Sequence, residues 1–262
     1  MDIAELLARY DREERRDVDE AGMRREVAPG VVRLVDLVGT ESAVIYSELD
    51  AQSADAVIER EVSHFDRLGH SCEWKLYAHD SPPDLGRRLV DHGFMAEEPE
   101  AIMVLDLAQA PEALLSPVPA CVRRISDPRD LADVTRVREA VWPGEHQGLE
   151  QRLGHLLQSD PERLTVYVAY AGDVPVSAAR IQFSGSAFAS LWGGATLEEH
   201  RGKGFYTALL AVRVQEAIRR GARYLTIDAS PMSRPIVEKH GFRLLTTAVA
   251  HLHATETDSA RS

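Results

Sequence analysis

The sequence is poor in cysteine. Cys72 and Cys121 are the two in 262 residues. They lie far apart and outside any C-x-x-C spacing, so nothing supports a disulfide framework and both read as reduced packing residues. Basic residues are also in deficit: 30 Lys and Arg against 42 Asp and Glu leave a net charge of −12. General nucleic-acid and anionic-membrane binders need a basic face, so both classes are excluded, while a cationic substrate such as an amine is compatible. No run approaches the ~20 apolar residues that cross a bilayer. The start, MDIAELLARYDREERR, is charged from its second residue and lacks the apolar core of a signal peptide. These absences predict a soluble cytoplasmic protein.

What is present suffices for a packed interior. The hydrophobic share is 44% over a length that suits one large domain or two ordinary ones. Residues 4–26 read as a charged helix with one narrow packing stripe. GVVRLVDLVG and SAVIYSELD read as strands. SADAVIEREVSHFDRLG is an amphipathic helix closed by Gly69. A strand (CEWKLYAHD), a short proline-led helix (PPDLGRRLVDHGF) and another strand (EAIMVLDL) follow. Residues 108–119 lie in a stretch with three prolines and no clear period, which marks a linker.

The second half predicts a strand from CVRRI, helices from DPRDLADVTRVREAVW and EQRLGHLLQS, and a hairpin from LTVYVAYAG and VPVSAARIQFSG. The strand AFASLWGGATL, the helix GFYTALLAVRVQEAIRRG, the strand YLTIDAS, a short helix and the strand LLTTAVAHLH complete it. The halves repeat one another. Each has a long helix ending in glycine (Gly69, Gly221), a strand, a short proline-bearing helix and an H-G-F triplet, His92-Gly93-Phe94 or His240-Gly241-Phe242. An ordered run of four matching elements indicates an internal duplication.

The most informative stretch is EEHRGKGFYTALL, residues 198–210. A strand that stops at a glycine turn and starts a helix leaves backbone N–H groups unpaired. Gly202 and Gly204 let the backbone curl toward an anion, the helix dipole adds partial positive charge, and Arg201 and Lys203 add two whole charges. A diphosphate is the natural guest. Two common nucleotide motifs are missing: Lys203 is followed by Gly204 rather than Ser or Thr, and neither Tyr206 nor Thr207 supplies a third glycine.

Arg201-Gly202-Lys203-Gly204-Phe205-Tyr206 resembles the [Q/R]-x-x-G-x-[G/A] signature of the GNAT superfamily of acyl-CoA-dependent N-acyltransferases. The element order of residues 120–253 and the ending S-x-x-x-P-I-V-E-K-H-G-F are similar to that family as well. The resemblance implies an α+β fold of two tandem GNAT-like domains, each a mixed, mostly antiparallel sheet flanked by helices. Residues 1–107 would be a degenerate domain, 108–119 the linker, and 120–262 the acetyl-CoA-binding domain. It further implies that residues 202–207 hold the pyrophosphate of acetyl-CoA. The backbone of Gly194, Ala195 and Thr196 would pair with the pantetheine arm and polarise the thioester carbonyl. A small-molecule or protein amine then attacks directly, without a covalent enzyme intermediate. The competing reading is a CoA-binding sensor or structural pseudoenzyme.

Three departures bear on catalysis. Val237 stands where many relatives carry a proton-donating tyrosine, Ser230 where they often carry asparagine, and Leu225 where some carry glutamate. Ser230 can still donate one hydrogen bond to the cofactor. Asp228 and Glu198 are the candidate catalytic carboxylates; Asp228 equally suits a helix cap, and Glu198, like Glu199, a solvated loop. Tyr206 suits either a phosphate contact or packing. Trp142 and Trp192 are the candidate acceptor-lining aromatics, with ordinary packing the alternative for Trp142. His251 and His253 share a strand face but lack a third ligand, so no metal is expected. In the first half, residues 50–56 replace the glycine turn with DAQSADA, where Asp50 and Asp55 would repel a pyrophosphate. That half is expected not to bind CoA.

Overall fold

The computed structural model describes residues 2–144 and 148–254. The Asp2 carboxylate accepts from Ile3 N–H at 2.8 Å, and Glu5 reaches back to the Asp2 N–H, so a reciprocal cap opens α1 (Ile3–Tyr10). A π-helical stretch, Asp11–Arg16, continues it. The helix expected over 4–26 therefore stops at Arg16, because Met23–Ala28 is a strand, β1. Its residues pair one for one with Asp36–Val31, and that ladder overrides a charged sequence with helical propensity.

Next come β2 (Val31–Asp36), β3 (Glu41–Ser47), α2 (Ala54–Leu68), β4 (Ser71–Tyr77), α3 (Leu85–Asp91), β5 (Met95–Ala96) and β6 (Glu100–Asp106). After α4 (Glu112–Leu115) follow β7 (Val122–Ile125), α5 (Leu131–Val141), α6 (Leu149–Ser159), β8 (Leu164–Ala171) and β9 (Val174–Phe183). The chain continues through β10 (Phe188–Thr196), α7 (Phe205–Arg219), β11 (Tyr224–Ala229), α8 (Arg234–Lys239) and β12 (Arg243–His253).

Two compact units result. One comprises the residues up to Ile102 together with those from Leu244 onward; the other is Met103–Arg243. These boundaries differ from the divisions 1–107, 108–119 and 120–262 read from the sequence. The last strand goes to the first unit, where Ala248–His253 of β12 pairs antiparallel with Tyr77–Cys72 of β4. Alternating apolarity marks a strand without naming its neighbour. The stretch 108–119 is structured: Leu114 is fully buried, and Gln215 Nε2 donates to the carbonyls of Leu114 at 2.9 Å and Ser116 at 2.8 Å.

In the first unit the strand order is β1-β2-β3-β4-β12, with β3 and β4 parallel and the other pairs antiparallel. Val44, Ile58, Phe65, Trp74, Leu89 and Phe94 form its core. Arg15, 1% exposed, donates to both oxygens of Asp80 at 2.8 and 2.7 Å, to Asp11 at 2.7 Å and to the Ile45 carbonyl at 3.0 Å. Its guanidinium lies 3.8 Å from the Tyr77 ring centroid. Every nitrogen is engaged, so the buried charge is compensated.

In the second unit the order is β7-β8-β9-β10-β11, antiparallel up to β10 and parallel between β10 and β11. Strand β8 is buried continuously from Leu164 to Tyr170, so both faces of the sheet are covered there. The two units repeat a motif. In each, a 15-residue helix, α2 or α7, joins two parallel strands. Pairing stops at Val44↔Trp74 and at Leu191↔Ile227, although all four strands run on. The H-G-F triplets match in detail: Phe94 N–H donates to Leu89 at 3.0 Å and Phe242 N–H to Val237 at 3.2 Å.

Candidate active site

The site grows from the place where β10 and β11 part. Their last paired residues are Leu191 and Ile227; β10 continues to Thr196 and β11 to Ala229. On its other edge β10 carries a bulge. Trp192 faces Arg180 and Ala195 faces Ala178, so one extra residue is accommodated at Gly193-Gly194. Gly193 has φ +58, and the place where its Cβ would stand is bounded by Arg138 Nη1 and, at 2.7 Å, by Arg180 Nη1. Both the backbone and the packing therefore require glycine there. Buried Ser177 of β9 donates to the Ala195 carbonyl at 2.7 Å and meets Thr196 Oγ1 at 2.7 Å, fixing the end of the strand.

Beyond Thr196 the chain makes a 3₁₀ turn, Glu198–His200, and then the glycine turn. Gly202 has φ +72 and Gly204, the N-cap of α7, has φ +87. The first backbone bond into α7 is from Ala208 N–H to the Gly204 carbonyl. The N–H groups of Gly202 through Thr207 donate to no acceptor among the described residues. No heavy atom lies within 4 Å of the Cβ position at either glycine, which leaves room for a guest. Arg201 and Lys203 are exposed, and Arg201 Nε leans back to the Thr196 carbonyl at 3.4 Å. Six free donors, a helix N-terminus and two cations together make a cradle of positive potential at the start of α7.

The other sequence-predicted residues distribute as follows. Gly194, Ala195 and Thr196 occupy the free end of β10, and Phe205, Tyr206 and Thr207 the first turn of α7. The Tyr206 ring packs over Gly194, Cε2 lying 3.2 Å from that glycine's Cβ position. Burial raises the Tyr206 pKa, partly offset by Arg213, so the phenol is protonated at neutral pH. Asp228 is half-buried at the end of β11, at the same sheet edge as Thr196 because the two strands are parallel. Glu198 and Glu199 are exposed. The Ser230 hydroxyl lies 3.3 Å from Ser233 Oγ, in the turn before α8. Val237 is fully buried. Trp142 closes α5, 5.0 Å from Arg138, and Trp192 lies 5.9 Å from Arg180, its indole N–H on Ser190 at 2.9 Å. His251 and His253 belong to the first unit, where they pair with Trp74 and Cys72 of β4. Among the described residues no three His, Cys, Asp or Glu side chains cluster for a metal, and no helix is long and apolar enough to cross a membrane.

Sequence reasoning missed two buried arginines. Arg138 is 6% exposed and Arg213 fully buried. Arg213 donates to the carbonyls of Leu209 at 2.8 Å and Arg180 at 3.4 Å, Nη2 lacks a hydrogen-bond partner, and burial lowers its pKa to about 10. The signal was available. Arg138 falls on the buried stripe with Leu131 and Val134, and Arg213 on the stripe with Leu209, Leu210 and Val214. A charge inside an apolar stripe needs a reason.

Among solved structures the chain is similar to a GCN5-related N-acetyltransferase from Kribbella flavida (16% identity, TM-score 0.67, 95% of each chain covered). It is similar to a functionally unknown conserved protein from Staphylococcus epidermidis (14%, 0.67, 92% of this chain and 97% of that one). A tandem GNAT protein from the clavulanic acid biosynthesis pathway also shares the fold (14%, 0.53, 90% and 85%). No curated protein matches the chain in sequence. Residues 131–242 match the family model described as the Acetyltransferase (GNAT) family, and the chain carries a GNAT domain there.

Proposed function

We propose that the protein is an acetyl-CoA-dependent N-acyltransferase that moves an acetyl group to a primary amine by direct attack within a ternary complex. The observation that carries this reading is the row of six unbonded N–H groups, Gly202 to Thr207, beside strands that part after Leu191 and Ile227. The cradle receives the diphosphate, with Arg201 and Lys203 adding charge. The backbone of Gly194–Thr196 polarises the thioester carbonyl. The amine nitrogen bonds to the carbonyl carbon as the carbon–sulfur bond breaks; the amine loses a proton and the thiolate gains one. Asp228 and Glu198 are the carboxylates at this strand edge that can take the amine proton. The thiolate is protonated by solvent or by the Tyr206 phenol, since buried Val237 has no proton to give.

The same valine favours the second reading, a CoA-binding sensor with little turnover. Thiol release from acetyl-CoA over a panel of amines, run beside calorimetry with acetyl-CoA, separates the two. Turnover supports the enzyme; binding without turnover on any amine supports the sensor; absence of binding overturns both.

A further inference from the structure

Tyr206 is the position at which RGKGFY departs from its signature, where glycine or alanine is expected. Its ring fills the gap between α7 and the free end of β10: Cε2 lies 3.2 Å and Cδ2 4.0 Å from the Cβ position of Gly194. Residue 194 therefore has no room for a side chain unless the ring gives way. Behind the ring stands Arg213. Tyr206, Leu210, Arg213 and Ala217 share one face of α7 by their spacing, and the last three are fully buried. The Arg213 side chain leans toward the start of the helix, with Nε donating to the Leu209 carbonyl at 2.8 Å. Nη1 donates at 3.4 Å to the carbonyl of Arg180, which pairs with Trp192, two residues before Gly194. Nη2 has no hydrogen-bond partner among the described residues. Burial lowers the Arg213 pKa to about 10, countered by the Tyr206 and Tyr167 phenols, so the charge persists at neutral pH. A buried cation without a counter-ion is costly and calls for a reason.

We infer that these two residues select the acyl donor: Tyr206 limits the transferred group to acetyl, and the Arg213 charge behind it rejects an aliphatic chain. The inference rests on the acyltransferase reading and names its donor class. That reading puts the thioester carbonyl against the backbone of Gly194–Thr196, which makes the Tyr206 ring the wall on the α7 side. An acetyl group adds one methyl beyond the carbonyl carbon and needs no depth behind that wall. A butyryl chain must push the ring aside and then lie against a free guanidinium N–H, which methylenes leave unsatisfied. With the ring removed, the group that suits the space is one ending in a carboxylate, such as succinyl. It satisfies Nη2 and neutralises the buried charge. The bonds made and broken are the same for every donor: nitrogen to carbonyl carbon, and carbonyl carbon to sulfur.

The test compares acetyl-, butyryl- and succinyl-CoA, by thiol release with the amine panel and by calorimetry, which needs no amine and should rank the donors in the same order. The parent should prefer acetyl-CoA over each of the others by roughly 100-fold in kcat/KM. Tyr206→Ala should bring succinyl-CoA within about 5-fold of acetyl-CoA and leave butyryl-CoA poor. Adding Arg213→Met to Tyr206→Ala should reverse those two, with butyryl-CoA overtaking succinyl-CoA. Tyr206→Phe, which keeps the ring, should keep the parent's ranking and guards against a folding defect in the alanine variant. Equal binding of butyryl- and acetyl-CoA by the parent overturns the inference and leaves the acyltransferase reading standing. An unchanged ranking in Tyr206→Ala, or an equal gain there for butyryl- and succinyl-CoA, does the same. Binding of none of the three donors to the parent would overturn the acyltransferase reading, and the inference with it.

Discussion

Asp50 accepts a hydrogen bond from the backbone N–H of Ser53 at 2.8 Å, and the same oxygen, Oδ1, accepts from the Ser53 hydroxyl at 2.8 Å and from Gln52 N–H at 2.9 Å. These bonds, the Ser53 hydroxyl first, lower the Asp50 pKa. They fill the turn between β3 and α2, which in the repeated motif corresponds to the glycine cradle between β10 and α7. An internal carboxylate thus takes the donors that in the second unit stay free. The expected consequence is one acetyl-CoA per chain, with the second unit supplying the site. Calorimetric stoichiometry near two, or electron density for CoA at Asp50 in soaked crystals, would contradict it.

Gly204→Asp would give the second unit the same arrangement. Residue 204 is the N-cap of α7 at φ +87, with open space around it. Aspartate tolerates the left-handed region better than most residues and favours the N-cap, so the fold should survive. The new carboxylate would compete for the free N–H groups and repel a diphosphate. Affinity for acetyl-CoA should fall by roughly 100-fold, about 2.7 kcal/mol, in calorimetry on protein with an unchanged circular dichroism spectrum. Unchanged affinity would remove the cradle from the binding site.

Val237→Ala separates packing from proton transfer. The side chain is fully buried and accepts or donates no proton, so the turnover rate should stay within about twofold of the parent at a temperature where both are folded. Stability should drop by about 2 kcal/mol for the lost methyl groups and the cavity they leave. Thermal melting and steady-state rates measure the two effects independently. A large rate loss with little change in melting would give this position a direct part in the chemistry through its shape.

The cradle was legible because its chemistry lives in local backbone: Gly202, Gly204 and the helix start are adjacent in sequence, and positive φ at both is what glycine at those places predicts. The repeat was legible for the same reason, through Gly69, Gly221 and the H-G-F triplets. What escaped was non-local. Nothing in LLTTAVAHLH says that β12 pairs with β4, since alternation fixes the faces of a strand and leaves its partner open. Met23–Glu26 read as the end of a helix because its charged side chains mask a strand that exists through pairing with β2. Arg138 and Arg180 lie 42 positions apart and meet over Gly193 through the packing of α5 on the sheet. Neither carries a local signal of that meeting, though Arg138 falls on an apolar stripe.

The buried charge cluster of the first unit should dominate its acid sensitivity. Arg15 and Asp80 have side-chain exposures of 1% and 3%, so Asp80→Ala leaves a buried guanidinium half-compensated and should destabilise by about 3–5 kcal/mol. Asp11 adds a pH dependence. Burial raises its pKa, but hydrogen bonds from His79 and Arg15 outweigh this, and the folded-state value lies below the ordinary 3.8. A depressed carboxyl binds fewer protons folded than unfolded. Its stabilisation is therefore fully present above about pH 4 and is lost as pH falls through the folded value. Asp11→Asn should lower stability at pH 7 and make the curve of stability against pH less steep below about pH 4. Urea melts from pH 7 to 3 measure both. A curve parallel to the parent's down to pH 3 would mean that Asp11 is not linked to folding.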